Sequence, residues 1–456
     1  MEFVYRNKNF AKFFGFIDKF KARTNPGVLL LFVAIVTMVI ANSPLRDWYE
    51  SLWKFDFFIG VENFNLLSHH GERFTLLQLV NDGIMAIFFF FVGLEIKREV
   101  LVGELSSFRQ AILPIIAAVG GMIMPVVLFF VVGKAQHFSP EEMKGLAIPM
   151  ATDIAFSLGV LGLLGKRVPA SLRIFLLTLA IADDIGGILV IAVFYSEFTA
   201  SSFLYLGFSL LLFAVLFVGN RLRVNNKLFY FINGLAIWYL FLQAGIHPTI
   251  AGVLVAFTVP ARPYIDLKKF TDGLRQDLHV IESTIRNQKE ESIVLTNTQV
   301  KYLTRIEAAS DHVVSPLQRL EDSLHDLVNY IIMPLFAFAN AGVVFDLSHI
   351  SLFSGVSLSV LVGLVLGKTI GIFLFTWMAI KLRISRKPSG INWSNLVGLS
   401  MLGGIGFTVA LFLAGLSYPL GSEILNNAKL GIITGSVISG ILGFSLLNLT
   451  LKKSKD

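Results

Sequence analysis

Apolar runs of about 20 residues recur along nearly the whole chain, and each is long enough to cross about 30 Å of hydrocarbon. They do not alternate in polarity, so they do not read as strands of a transmembrane β-barrel. Only 15% of the 456 residues are charged and 55% are hydrophobic, against about 25% charged in soluble domains. The expected fold class is an all-α polytopic membrane protein. Spans are expected at 26–44, 76–96, 111–133, 146–165, 170–195, 202–220, 227–243, 246–260, 326–346, 353–380, 394–416 and 427–450, about 12 transmembrane helices. Residues 1–25 are polar, basic and aromatic. They lack the apolar core and small-residue cleavage site of a signal peptide, so the first span is expected to target the chain as well. The chain has no cysteine, hence no disulfide framework and no thiolate metal site.

Lys and Arg set the expected orientation. Placing the N-terminus in the cytoplasm puts 31 of the 38 on that side and leaves Lys368 inside a span. The outer loops then hold Arg46, Lys54, Arg73, Lys134, Lys144 and Lys429. This asymmetry follows the positive-inside rule with both termini cytoplasmic. It accounts for the net charge of +7 without a nucleic-acid partner. The chain then divides into a cytoplasmic tail (1–25), spans one to eight (26–260), a cytoplasmic helical insertion (261–325), spans nine to twelve (326–450) and a second tail (451–456). Residues 54–66, KFDFFIGVENFNL, alternate around Gly60 and read as an outer β-hairpin or an ordinary loop. The insertion is charged in both signs and has helical spacing from Thr298 to Leu327. It reads as a solvated linker or a regulatory segment, with disorder expected around 285–297.

Three aspartates sit inside apolar helices: Asp153, Asp183 and Asp184. A carboxylate in hydrocarbon costs roughly 3 kcal/mol on insertion scales. At 1.5 Å per residue, Asp153 lies about 18 Å from the turn at Gly165, Asp183 about 21 Å from Pro169, and Lys368 about 20 Å from Lys381. All three therefore lie near the midplane, too deep for a short Asp side chain to reach water. Asp183 and Asp184 point about 100° apart on a helix. One can face an ammonium while the other faces a transported ion. Close carboxylates titrate as a coupled set, and such a set can hold protons or a hard cation. Competition for one site is enough for exchange.

Backbone breaks are the second clue. Pro149 interrupts the fourth span just before Thr152 and Asp153. Gly403, Gly404 and Gly406 weaken the eleventh at a similar depth, or serve close packing there. Irregular backbone in a bilayer lines a cavity or packs against protein. Interrupted spans at matching positions of two halves, here spans three to five and ten to twelve, point to inverted-topology repeats around a transport site. Elsewhere, Glu95, Lys97, Arg98 and Glu99 cluster at the cytoplasmic end of the second span. Glu321 and His325 stand i, i+4 before the ninth. Either cluster can sense cytoplasmic pH or anchor the helix at the interface. Asp82 reads as solvated near the outer end, and His247 as a cap on a helix break.

These residues lie in motifs that closely resemble the NhaA family of bacterial Na⁺/H⁺ antiporters. They are FFFFVGLEIKRE (88–99), AAVGGMIMP (117–125), IPMATDIAFSLGVLGLLGKRVP (148–169), LAIADDIGGILVIAVFY (179–195), GIHPTIAGVLVAFTVP (245–260), MPLFAFANAGV (333–343), LGKTIGIFLF (366–375) and GGIGFTVALF (403–412). The family is itself a type example of the inverted-repeat pattern, so that inference and this resemblance are not independent. The resemblance implies two interrupted helices crossing at the midplane, with Thr152 and Asp153 at the crossing and Asp153 balancing positive half-helix ends. It implies Asp183 and Asp184 as the Na⁺ and proton ligands, with Lys368 partnering Asp183. It places Glu95, Lys97, Arg98, Glu99 and Glu321 in a pH-responsive region, to which the spacing alone adds His325, and pairs hairpin 54–66 across a homodimer. The 261–325 insertion departs from shorter members.

The implied function is secondary active Na⁺ (Li⁺)/H⁺ antiport across the bacterial inner membrane. It would be electrogenic and pH-regulated, by alternating access of the buried aspartate site. No enzyme activity and no resident cofactor are expected, because Na⁺, Li⁺ and H⁺ are cargo. A proton-coupled organic-anion carrier is the alternative. It would need further polar or basic ligands, and only Lys368 stands at depth. A cation channel would favour rings of like residues across subunits.

Overall fold

The computed structural model describes residues 25–57, 60–61, 64–65, 68–69, 72–196, 202–224, 226–286, 294–344, 355–387 and 390–451. Most of both expected tails, and 287–293 of the insertion, lie outside these residues. The chain forms two compact units.

The first unit takes its described residues from 1–88, 99–197 and 327–456. It opens with α1 (Pro26–Ala41), started by Pro26 and by the Asn25 side chain accepting from Gly27 N–H. Pro suits this position because the first-turn N–H has no helical partner anyway. A short helix, α2 (Arg46–Trp53), is bent 112° from it. Its Tyr49 hydroxyl donates to the carbonyl of Phe338 at 2.7 Å. Short strands follow: β1 (Asp56–Phe57), β2 (Gly60–Val61), β3 (Phe64–Asn65), β4 (Ser68–His69) and β5 (Glu72–Thr75). β2 pairs with β3, while β5 pairs with both β1 and β4, all antiparallel. The strand region thus extends past the expected 54–66, because Asp56 and Phe57 find their partners at Thr75 and Phe74. A Thr75–Gln78 capping box then starts α3 (Leu76–Leu101), whose residues 79–84 form a π turn.

The rest of this unit has the same order twice: long helix, broken helix, long helix. The first set is α4 (Phe108–Ala135), a 3₁₀ segment (Glu142–Met150) running into α5 (Ile154–Gly162), and α6 (Ala170–Phe194). α13 (Met333–Asn340), numbered after the helices of the second unit, leads into the second set: α14 (Gly355–Lys381), α15 (Trp393–Leu402) with α16 (Phe407–Ser417), and α17 (Glu423–Thr450). The bends at the two breaks are 43° and 45°. A π turn, Gly363–Gly367, lies inside α14. The sets are tied at their ends. Tyr418 donates to the Glu142 carbonyl at 2.6 Å, and Tyr195 and Ser417 share a 2.8 Å hydrogen bond. Arg167 reaches the side chain and carbonyl of Asn448 and the Leu451 carbonyl. It thereby satisfies acceptors left open at a helix C-terminus.

The second unit takes its described residues from 89–98 and 198–326. It holds α7 (Ser202–Arg221), α8 (Lys227–Ala244), α9 (Thr249–Thr258), α10 (Leu267–Arg286), α11 (Asn297–Val313) and α12 (Pro316–Leu327). Gly245, at φ 72°, ends α8 in the left-handed conformation that favours glycine after a helix. In the insertion, α10 and α11 are linked by an Arg305–Asp277 pair at 3.5 Å.

All twelve expected spans fall largely on helix. Among the described residues, six qualify as membrane spans by length and apolarity, or up to nine if each bent pair is one span. Of the three missing, 227–243, 246–260 and 326–346, the last two have a plain physical cause. α9 has 10 residues, about 15 Å. The expected ninth span is the end of a longer helical run that starts at Pro316 with charged residues and passes through a π turn at Val328–Ile332. Lys429, counted with the outer loops, lies inside α17.

Candidate ion site

Asp153 ends the break between the 3₁₀ segment and α5. Its extended backbone makes it the N-cap of α5, and one carboxylate oxygen accepts from Phe156 N–H at 2.9 Å. The other oxygen accepts from the Thr408 N–H at 3.1 Å and the Thr408 hydroxyl at 2.6 Å. Thr408 is the second residue of α16. One carboxylate therefore lies across the N-termini of two half-helices, each carrying unpaired N–H groups and a partial positive charge. The C-terminal end of α15 is served by hydroxyls. Thr152 donates to the Gly403 carbonyl at 2.8 Å, and Ser157 to the Leu402 carbonyl at 2.9 Å. The Asp153 N–H donates to the Ile405 carbonyl at 2.6 Å. The two breaks are thus joined mainly by Thr152, Asp153 and Ser157 of the first, which complete both helix ends of the second.

Asp183 and Lys368 meet in the same unit. The ammonium lies 2.5 Å from Asp183 Oδ2, with the side chains 1% and 0% exposed. Asp183 Oδ1 is buried and accepts no well-formed hydrogen bond; the Thr152 hydroxyl and N–H approach this carboxylate, but the hydroxyl is committed to the Gly403 carbonyl. Asp184 is buried too, at 8% exposure, and its charge acts on Lys368. The lysine is placed by small residues. Gly363, Gly367 and Gly371 repeat every fourth residue. A Cβ on Gly367 would stand 2.6 Å from Pro125 Cα, and one on Gly371 2.1 Å from the Gly120 carbonyl oxygen. Only glycine lets α14 lie this close to α4. On the α4 side, a Cβ on Gly121 would lie 3.7 Å from Lys368 Cδ, so the lysine stem runs past Gly121.

This cluster has the chemistry of a hard-cation or proton site: carboxylate oxygens, a hydroxyl, and one buried oxygen without a hydrogen bond. Among the described residues no group of three or more His, Cys, Asp or Glu is arranged to hold a metal. A cation here would rely on the paired aspartates with neutral oxygens.

The expected pH-responsive residues are distributed differently. In the second unit, Arg98 pairs with Glu321 at 2.7 Å, and the Phe91 ring meets His325 edge-on at 6.2 Å. His325 is also 3.5 Å from Asp326 and 60% exposed. The Lys97 ammonium donates to the carbonyls of Phe257 and Val259, and so caps the C-terminus of α9. Glu99, in the first unit, accepts from the Glu104 N–H at 3.1 Å. Glu95 is half-buried. Asp82 sits in the 79–84 π turn, whose Asn81 exchanges amide hydrogen bonds with buried Asn340. His247 shares a 2.7 Å hydrogen bond with the Thr249 hydroxyl at the start of α9.

Sequence reasoning missed Thr408, Ser157 and the glycine stripe. A four-residue repeat of small residues in an apolar span could have revealed the stripe. The hydroxyls carry no local signal, since their partners lie some 250 residues away.

The family model for Na⁺/H⁺ antiporter 1 matches residues 18–447. The chain is 52% identical over 437 residues to Na(+)/H(+) antiporter NhaA of Parabacteroides distasonis, covering 95% of each chain. It is 50% identical over 430 residues to the protein of that name from Phocaeicola vulgatus, covering 94% of each. It is 41% identical over 439 residues to Na(+)/H(+) antiporter NhaA 2 of Syntrophotalea carbinolica, covering 95% of this chain and 96% of the relative.

Proposed function

Because the chain belongs to the Na⁺/H⁺ antiporter 1 family and is a Na⁺/H⁺ antiporter, we propose that Asp183 and Asp184 are where Na⁺ and protons compete. The observation that carries this is the open oxygen of Asp183, buried without a hydrogen bond while its twin holds Lys368. A Na⁺ ion arriving at that oxygen and at Asp184 replaces the positive charge the lysine supplies. Lys368 can then release its proton, and the reverse occurs when Na⁺ leaves. Exchange is electrogenic whenever more than one proton leaves per Na⁺. Li⁺, a smaller hard cation, fits the same ligands.

In this reading the twelve helical segments form the membrane part, and the two sets are inverted repeats with breaks crossing at the midplane. Both termini face the cytoplasm of a bacterial inner membrane. The strand region pairs two copies into a homodimer. The Arg98–Glu321 pair, with Glu95, Lys97, Glu99 and His325, adjusts activity to pH. The organic-anion alternative finds no support, since the relatives are Na⁺/H⁺ antiporters.

The test is Na⁺-driven proton movement in inverted vesicles. Asp183→Asn and Asp184→Asn are each expected to abolish it, and full activity in both would remove the site assignment. Competition has its own signature: the apparent KM for Na⁺ should rise about tenfold per unit fall in pH where one proton competes. A KM independent of pH would contradict a shared site.

A further inference from the structure

The α14 helix that carries Lys368 ends in a second feature, unrelated to the ion site. Within seven residues stand Lys381, Arg383, Arg386 and Lys387, all exposed. Among the described residues none of the four forms an ion pair with a carboxylate. Two are held by aromatic rings instead. Lys381 Nζ lies 4.5 Å from the Trp377 ring centre and Lys387 Nζ 5.6 Å from that of Trp393. A ring face positions an ammonium without neutralising it. Between the charges, Leu382 and Ile384 are 63% and 51% exposed, and both tryptophans 37%. Arg383 adopts φ 59°, where glycine would be unstrained, and so an arginine is turned outward at the end of the helix. A helix C-terminus by itself favours a cation such as Lys381. The other three lie beyond the last turn.

We propose that Trp377, Lys381, Arg383, Arg386, Lys387 and Trp393 form a headgroup site for an anionic phospholipid at the membrane surface. The charges would take the phosphodiester, Leu382 and Ile384 would enter the acyl boundary, and the tryptophans would sit at headgroup depth. The site rests on the membrane reading but not on the assignment of Asp183 and Asp184.

The experiment uses the purified full chain in detergent, titrated with phosphatidylglycerol or phosphatidylcholine. Thermal midpoint and lipid retained in native mass spectrometry are followed, with choline chloride as the salt because Na⁺ is a substrate. Phosphatidylglycerol should raise the midpoint and stay bound, phosphatidylcholine should not, and free glycerol phosphate should not substitute for the lipid. Lys381→Gln/Arg386→Gln/Lys387→Gln should weaken retention about fivefold per charge removed. Lys268→Gln/Lys269→Gln/Arg275→Gln, with the same loss of charge elsewhere, should retain lipid normally. Equal loss in both triple variants would reduce the effect to bulk surface charge and overturn the proposal. So would undiminished retention in the first. Should the first variant not fold, Lys387→Gln and the charge-preserving Lys387→Arg give the same contrast, and equal retention in these two would also overturn it.

Discussion

Asp153 and Asp183 are the same side chain at nearly the same burial, 1% and 2% exposed, in the same unit. Their surroundings differ. Asp153 accepts three hydrogen bonds, two from backbone N–H groups and one from a hydroxyl, and these come from two separate helices. Asp183 has an ammonium on one oxygen and no hydrogen bond on the other. A carboxylate with its lone pairs engaged by fixed backbone cannot change partner without unmaking two helix ends. One held by a single lysine side chain, with its other oxygen open, can. Burial is common to both; on the proposed assignment, what separates them is whether the carboxylate's partners are fixed backbone or a single side chain.

The contrast can be broken in four ways. Asp183→Ala leaves the Lys368 ammonium buried without its carboxylate, and breaking a buried pair from one side costs about 3–5 kcal/mol. Unfolding of the purified protein should show it, and Lys368→Met added to that variant should recover most of the loss. No recovery would mean that the pair is not what the cost reports. Asp153→Asn keeps the shape but removes the charge from two helix N-termini, at about 3 kcal/mol. It should lower the thermal midpoint while leaving Na⁺-dependent proton movement measurable. Loss of transport with an unchanged midpoint would place Asp153 among the ion ligands. Gly367→Ala drives a methyl into the Pro125 backbone, an overpacking expected to cost about 1–3 kcal/mol. It should also raise the KM for Na⁺ by displacing Lys368, and an unchanged KM would separate helix packing from the site. Thr408→Val is the mildest, removing one hydrogen bond at about 1 kcal/mol in the same unfolding assay. A much larger loss would mean that Asp153 depends on that hydroxyl more than on the backbone.

Much of this architecture was legible because helix rise is constant. Counting residues from the nearest turn put Asp153, Asp183 and Lys368 at one depth, and Asp183 and Lys368 do meet. Pro149 and the Gly403–Gly406 run marked where helices break. The division of labour was not legible. Nothing local to Asp153 says that its second oxygen belongs to Thr408, 255 residues on. Span counting also treated every apolar run alike, whereas α9 is too short to cross hydrocarbon alone. The charged cluster at 95–99 looked like one group in sequence. In space Lys97 serves carbonyls, Arg98 a carboxylate and Glu99 its own chain.

The π turn at Gly363–Gly367 acts on the lysine as a phase shifter. A helix advances about 100° per residue, and a π turn holds one residue more than the α turn it replaces. The azimuth of Lys368 is thereby decoupled from the face that α14 presents a turn earlier. Deleting Leu366 would restore a regular helix and leave the ammonium near its present azimuth, whereas deleting a residue from the regular turn before it, such as Leu361, would swing the ammonium by about 100° relative to the preceding face. Every neighbouring side chain would keep its chemical identity. Of two single-residue deletions that composition would score alike, the one in the regular turn should silence exchange as thoroughly as the loss of a charge, and the one inside the π turn should cost exchange far less.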